Sequence, residues 1–257
     1  MLYMIRGEIQ MEELSKQIQE YWNKRSQDFS TVRRRELASP DARAWQSYIM
    51  KYLPHGRRLK ILDIGTGPGF LAILMARLGH DVTAIDSSTG MIQEARRNAA
   101  EHHVFVDFQA GDAQELPFAS ASFDVVLSRN LTWNLPNAVK AYQDWHRVLR
   151  DGGLLLNFDS DYGPVQFTSA ASEEKNIHHN VDSDLIRECE SLKDALSISR
   201  ECRPAWDMYR LQDIGFTDCQ CVKDIRPVVH ISSCMQYDSA PLFCLSAHKK
   251  GLARCAH

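Results

Sequence analysis

Leu62-Asp63-Ile64-Gly65-Thr66-Gly67-Pro68-Gly69-Phe70 decides how the rest of this chain is read. A short apolar run, Leu59 to Ile64, leads into it and reads as a buried parallel strand. Phe70 to Leu78 follows as a helix that Gly79 closes. Glycines between a strand and a helix let the backbone turn sharply and approach a ligand closely. The next strand, Asp81 to Ile85, ends at Asp86, where an acidic side chain accepts hydrogen bonds from a ribose in this architecture. A nicotinamide site wants its third glycine one position later, and Phe70 stands there. A nicotinamide oxidoreductase is therefore a distant reading.

Working outward, strands and helices keep alternating. Met91 to Glu101 reads as a helix, and Val104 to Gln109 and Phe123 to Ser128 as strands. Ala138 to Leu149 is a helix stopped by Asp151-Gly152-Gly153, and Leu154 to Phe158 is a fifth strand. Pro204 to Gln212 reads as a helix ended by Gly215. Thr217 to Ile225 and Leu242 to His248 close the sheet as an antiparallel pair. This alternation predicts an α/β fold with helices on both faces of a doubly wound, seven-stranded sheet, mostly parallel with an antiparallel edge hairpin. Residues 11 to 53 read as helical, with Pro54-His55-Gly56 as the stop. Residues 161–203 are polar and interrupt the pattern. The expected organisation is a helical cap over 1–55, a ligand-binding core over 56–160, a lid insertion over 161–203, and a closing helix and edge strands over 204–257.

Beyond the glycine loop, Gly111-Asp112-Ala113 follows the third strand, and Phe123-Asp124-Val125-Val126 makes the fourth. Arg147-Val148-Leu149 precedes the Asp-Gly-Gly turn, and Tyr21-Trp22-Asn23-Lys24-Arg25-Ser26 with Phe29 lies near the N-terminus. With these motifs the sequence resembles the class I S-adenosylmethionine-dependent methyltransferases, of the small-molecule type, over roughly residues 20 to 160. The resemblance implies a Rossmann-like core that takes S-adenosylmethionine and releases S-adenosylhomocysteine. It implies that Asp86 and Ser87 face the donor ribose. Met91, Gly111, Asp112 and Ala113 then surround the adenine. Asp63, Gly65, Thr66, Gly67 and Gly69 hold the methionine part, and Tyr21, Arg25, Arg129 and Asn130 complete the donor site.

The segment Ser128 to Leu135 sits at the C-terminal end of the fourth strand, where open α/β sheets bind ligands. Trp133 and Asn134 are expected to face the methyl acceptor, against a plain packing role. Asp159, at the end of the fifth strand, is a candidate general base, against a loop or capping carboxylate. His178-His179, Cys219 with Cys221, and His230 with Cys234 lack paired metal-ligand spacing, and no metal is expected.

Composition bounds the partners. The chain has 257 residues, 44% hydrophobic and 25% charged, with a net charge of -3. That balance argues against nucleic acid as the partner. The basic run Arg33-Arg34-Arg35, followed by Glu36, reads as a solvated helix face rather than an anion site. No stretch suits a membrane span or a secretory leader, and seven unpaired-looking cysteines suit a reducing compartment, so a cytoplasmic location is expected. A small molecule is the expected acceptor. The alternatives are an RNA or protein methyltransferase and a non-catalytic S-adenosylmethionine-binding protein.

Overall fold

A computed structural model describes residues 2–170, 181–233, 235–237 and 239–251. Seven strands make one sheet: β1 (Lys60–Ile64), β2 (Asp81–Asp86), β3 (Asp107–Ala110), β4 (Phe123–Arg129), β5 (Leu149–Ser160), β6 (Phe216–Val222) and β7 (Leu242–Lys249). Their order across the sheet is β3-β2-β1-β4-β5-β7-β6. β1 pairs in parallel with β2 and β4, while β7 runs antiparallel to both β5 and β6. The order reverses at β1, the position where such sheets open a crevice at their strand C-termini.

The helices are α1 (Leu2–Ala38), α2 (Pro40–Met50), α3 (Phe70–Arg77), α4 (Thr89–Glu101), α5 (Ala138–Val148), α6 (Phe167–Ala170), α7 (Ser183–Ala195), α8 (Ala205–Ile214) and α9 (Arg226–Val229). Strand side chains alternate between the faces, as the two-residue period requires. On β4, Val125 and Leu127 join the core beneath α2, α3 and α4, whereas Val126 joins the core beneath α5 and α8. Trp45 of α2 packs edge-on against Phe158 and Phe70 in the first core, and Trp145 of α5 anchors the second. The Trp145 indole is fully buried and donates its N–H to the Ala113 carbonyl at 2.9 Å, so it carries no unsatisfied polar atom inside.

Three elements differ from the sequence expectation. The single helix over 11–53 is two helices. Ser39 turns extended and accepts from Asp41 N, and Pro40 opens α2 at a position that needs no amide hydrogen. The third strand is confined to Asp107–Ala110, because His103 takes a positive φ and the preceding residues form the exit from α4. The fifth strand is long, because Leu149 already pairs with Phe123 across a register irregularity. Among the described residues no helix is long and apolar enough to cross a membrane. His178, His179, Cys234 and Cys255 lie outside the described residues.

Within residues 161–203, the Gly163 backbone packs directly against that of Ser199. A Cβ on Gly163 would overlap the Ser199 carbonyl oxygen, which is backbone and cannot swing aside. Gly163→Ala is therefore expected to lower the unfolding free energy by about 1–3 kcal/mol. Urea melts of the two proteins check this, and an unchanged midpoint would show that the backbone at Gly163 and Ser199 relaxes freely.

Candidate active site

A cavity of about 790 Å³ opens at the C-terminal ends of β1 to β5. That is a volume typical of small-molecule sites. Its floor is the loop after β1, in which Gly65, Gly67 and Gly69 all have left-handed φ values of 66°, 53° and 89°. The fit is close at Gly65, where a Cβ would fall 2.7 Å from the Leu131 side chain. Only glycine adopts that φ without strain and also clears the neighbour.

Asp86 sits at the end of β2 and braces this loop. One carboxylate oxygen accepts from Gly67 N at 2.9 Å and the other from Ser88 N at 2.9 Å. Its remaining lone pairs belong to a group that lines the cavity. Burial pushes its carboxyl up to about 6, against the pull of the two amides. Asp112, exposed at the end of β3, accepts from Gln114 N at 2.8 Å and also lines the cavity, as do Ser87, Met91, Gly111 and Ala113.

Helix α1 forms the wall. Gln19 donates to Ser87 O at 2.6 Å, and Asn23 Oδ1 accepts from Ser88 Oγ at 2.7 Å and Gly90 N at 3.0 Å. Trp22 donates to Asn134 Oδ1 at 2.8 Å and stands edge-on to Phe29. Arg25 donates to Tyr21 Oη at 2.7 Å and to Asp28 at 2.8 Å.

A family profile described as "Methyltransferase domain" matches residues 62–157, the segment from β1 to β5 that carries this floor. Residues 62–157 thus match a methyltransferase domain.

Over 108 residues the chain is 40% identical to a malonyl-[acyl-carrier protein] O-methyltransferase of Enterobacter lignolyticus, a match covering 42% of this chain and 41% of that protein. Over 98 residues it is 37% identical to a ubiquinone biosynthesis O-methyltransferase of Mesorhizobium japonicum, covering 38% and 39%. The match thus spans about two fifths of the length of each relative. Among solved structures, a SAM-dependent methyltransferase from Thermotoga maritima superposes with a TM-score of 0.58 at 19% identity, covering 91% of this chain and 100% of that one, which establishes the fold. The methyltransferase family implies S-adenosylmethionine as the donor.

The residues present fit that donor. The cavity offers carboxylates at the ends of β2 and β3 and an open glycine loop between them. It also offers a buried amide oxygen, Asn130 Oδ1, that has no hydrogen-bond partner among the described residues. Asn130 itself takes a left-handed φ of 52° and is fixed by its amide donating to Phe158 O at 2.8 Å.

The sequence-derived site residues divide into three groups. Tyr21, Arg25, Gly65, Thr66, Gly67, Asp86, Ser87, Met91, Gly111, Asp112, Ala113, Asn130, Trp133 and Asn134 all line the cavity. Two polar members are already committed: the Thr66 hydroxyl donates to Asp63 at 2.6 Å, and Asn134 Oδ1 receives the Trp22 indole N–H. Trp133 stands edge-on to Tyr162 and Phe167 and gives its own N–H to Asn130 O at 3.0 Å. In the second group, Asp63, which also lines the cavity, and Gly69 hold the loop. Asp63 is buried, accepts also from Ala72 N at 3.0 Å, and is pushed up by burial to about 7. Gly69 caps α3.

The third group requires correction. Asp159 is no general base: it is fully buried and away from the cavity lining, and it accepts from Thr132 Oγ1, Trp133 N at 2.9 Å, Ser160 N at 2.8 Å and Arg203 at 3.2 Å. A carboxylate so buried, outside the cavity lining, is not within reach of a substrate proton. Arg129 lines the cavity, but its guanidinium is committed to Glu36, donating to both carboxylate oxygens at 2.8 and 3.1 Å. The reading of Arg33 as solvated also fails. Arg34 and Arg35 are exposed, but Arg33 is 6% exposed and lines the cavity. The missed signal was the spacing of Trp22, Phe29, Arg33 and Glu36, which puts all four on one helical face.

Proposed function

We propose that this chain transfers a methyl group from S-adenosylmethionine to an oxygen atom of a small-molecule or carrier-bound acceptor. The observation that carries the reading is the pairing of Asp86 with the left-handed Gly65–Gly69 loop at the floor of one cavity. The choice of oxygen is supported by the two O-methyltransferases it is similar to. When bound, the donor supplies a methyl group already activated for displacement, so the protein's contribution is position and exclusion of water.

Each residue then has a task. Asp86 accepts from the ribose hydroxyls, Asp112 and the Ala113 amide meet the adenine, and the Gly65–Gly69 loop with Asn130, Tyr21 and Arg25 holds the methionine part. Trp22, Trp133, Tyr162 and Phe167 shield the acceptor end from water. His230 is the one imidazole among the described lining residues, and burial together with Arg129 holds it down at about 3. So weak a base suits an acceptor oxygen that arrives already ionised.

Calorimetric titration with S-adenosylhomocysteine, beside NADH as a control, tests the reading. Binding of the first and not the second is expected. Affinity should also follow the charge on Asp86. Its carboxyl is raised to about 6, so its anionic form is complete at pH 7.5 and mostly lost at pH 5. The dissociation constant is expected to rise about tenfold between those pH values, and Asp86→Asn should flatten the profile. NADH binding in place of the sulfur ligand would reject the reading.

A further inference from the structure

At the far end of the cavity two arginines share one carboxylate. Arg33 on α1 donates to Glu36 at 2.5 Å, and Arg129 at the end of β4 grips the same Glu36 with both terminal nitrogens. All three side chains are more than nine-tenths buried. Glu36 is the one carboxylate among the described residues that touches either guanidinium. Burial would raise it, but Arg129 and Arg33 hold it down at about 2. Asp41 is occupied by Ile231 N, Ser232 N and the Tyr237 hydroxyl, and Asp63, which feels the Arg129 charge, accepts from Thr66 and Ala72 N. Beyond Glu36, the second positive charge meets aromatic faces and one imidazole nitrogen: Arg33 over Phe29 at 4.6 Å, Arg129 over Trp45 at 4.3 Å and Phe70 at 4.8 Å, and Arg129 Nη2 3.5 Å from His230 Nε2. Arg129 Nε and His230 Nδ1 are buried without a hydrogen-bond partner among the described residues. His230 is closed off behind by Tyr237, stacked at 3.6 Å.

A cation buried with half a counter-ion is costly unless an anion completes it. Arg33, Arg129, His230 and Tyr237 all line the cavity, so a ligand there reaches that charge. We propose that this end of the cavity binds a carboxylate group of the methyl acceptor, with Arg33 as its principal partner. The proposal rests on the methyl-transfer reading of the same cavity. Sheet order favours the acceptor over the donor's own carboxylate. Most donor-facing strand ends are those of β3, β2 and β1, and although Asn130 follows β4, Arg129 turns its guanidinium to Glu36 on α1. Along α1, Asn23 touches the turn after β2, and Arg33 follows about 15 Å later on the same helix. Among the described residues Arg33 makes a single hydrogen bond, to Glu36, and has further donors to give.

The test uses the full chain saturated with S-adenosylhomocysteine, so that the donor's carboxylate position is filled. A graded series of acids (acetate, octanoate and phenylacetate) is titrated beside the matching amides. At least one acid is expected to bind tenfold or more tightly than its amide. Arg33→Gln should erase that preference while S-adenosylhomocysteine affinity stays within twofold, and Arg33→Lys, which keeps the charge, should restore part of it. Equal binding of acids and amides, or no binding of any acid, overturns the proposal. So does an Arg33→Gln protein that loses tenfold or more in S-adenosylhomocysteine affinity while keeping the acid preference, since the arginine would then serve the donor. Absence of S-adenosylhomocysteine binding with the acid preference intact would instead reject the methyl-transfer reading and leave the anion site standing.

Discussion

Arg203→Leu is expected to destabilise the fold by about 3–5 kcal/mol, the range seen when one partner of a buried charge cluster is removed. Arg203 donates to Asp207 at 2.8 and 2.9 Å, to Asp159 at 3.2 Å, to Thr132 Oγ1 at 2.7 Å and to Ser160 O at 3.2 Å. It joins the end of β5, the turn carrying Trp133, and the start of α8. Both carboxylates are fully buried. Burial already raises Asp159 in the intact protein, against the pull of Arg203. With the cation gone, both acids are left uncompensated in a place that cannot solvate them. Asp159, already raised, then holds its proton more tightly still than in the unfolded chain, so the folded state binds more protons and stability falls as pH rises. The deficit should be largest at pH 8 and shrink toward pH 5. Urea melts at the two pH values check both size and slope, and a loss below about 1 kcal/mol would mean that water reaches the cluster. Asp159→Asn, for the same reason, should act on stability and leave S-adenosylhomocysteine affinity near that of the parent.

Asp86→Ala should do the reverse. A carboxylate that accepts two ribose hydroxyls makes charge-assisted hydrogen bonds of about 1.5–3 kcal/mol, so S-adenosylhomocysteine affinity is expected to fall by about 10- to 100-fold. The carboxyl is held above its ordinary range in the unliganded protein, which means its charge costs the empty fold something. Removing it should leave the unfolding midpoint close to that of the parent. Calorimetry and urea melts on one preparation separate the two effects. Unchanged affinity would show that the ribose does not lie at the end of β2.

These two acids mark what could be read from sequence. Asp86 was legible because its meaning is local: it closes an apolar strand a fixed distance after a glycine loop, and both features survive in the primary structure. Strands β1, β2 and β4 were legible for the same reason, as short apolar runs bounded by turn residues. Asp159 had the same local signature, an acid at a strand end. Its partner Arg203 is 44 residues away, and nothing nearby announces that the carboxylate is taken. The Arg33, Glu36, Arg129 and His230 cluster was illegible on similar grounds. It gathers side chains from α1, β4 and the segment after α9, up to 197 residues apart, and a basic tripeptide on a helix gives no sign that only its first member faces inward. The break at Ser39-Pro40 was visible as residues but was outvoted by the helical periodicity on either side.

The length of α1 carries one more consequence. Gln19 and Asn23 touch the turn after β2, Phe29 lies 3.7 Å from where a Cβ on Gly67 would stand, and Arg33 and Glu36 meet β4, all along one uninterrupted helix. The two ends of the cavity are therefore kept in phase by helical pitch alone. One residue inserted between Ser26 and Phe29 would turn everything beyond it by about 100°. Gln19 and Asn23 would stay in place, while the aromatic ring and both members of the Arg33–Glu36 pair rotated out of the wall together. The angular register of a single helix, more than any one contact, makes the two halves of this cavity one site.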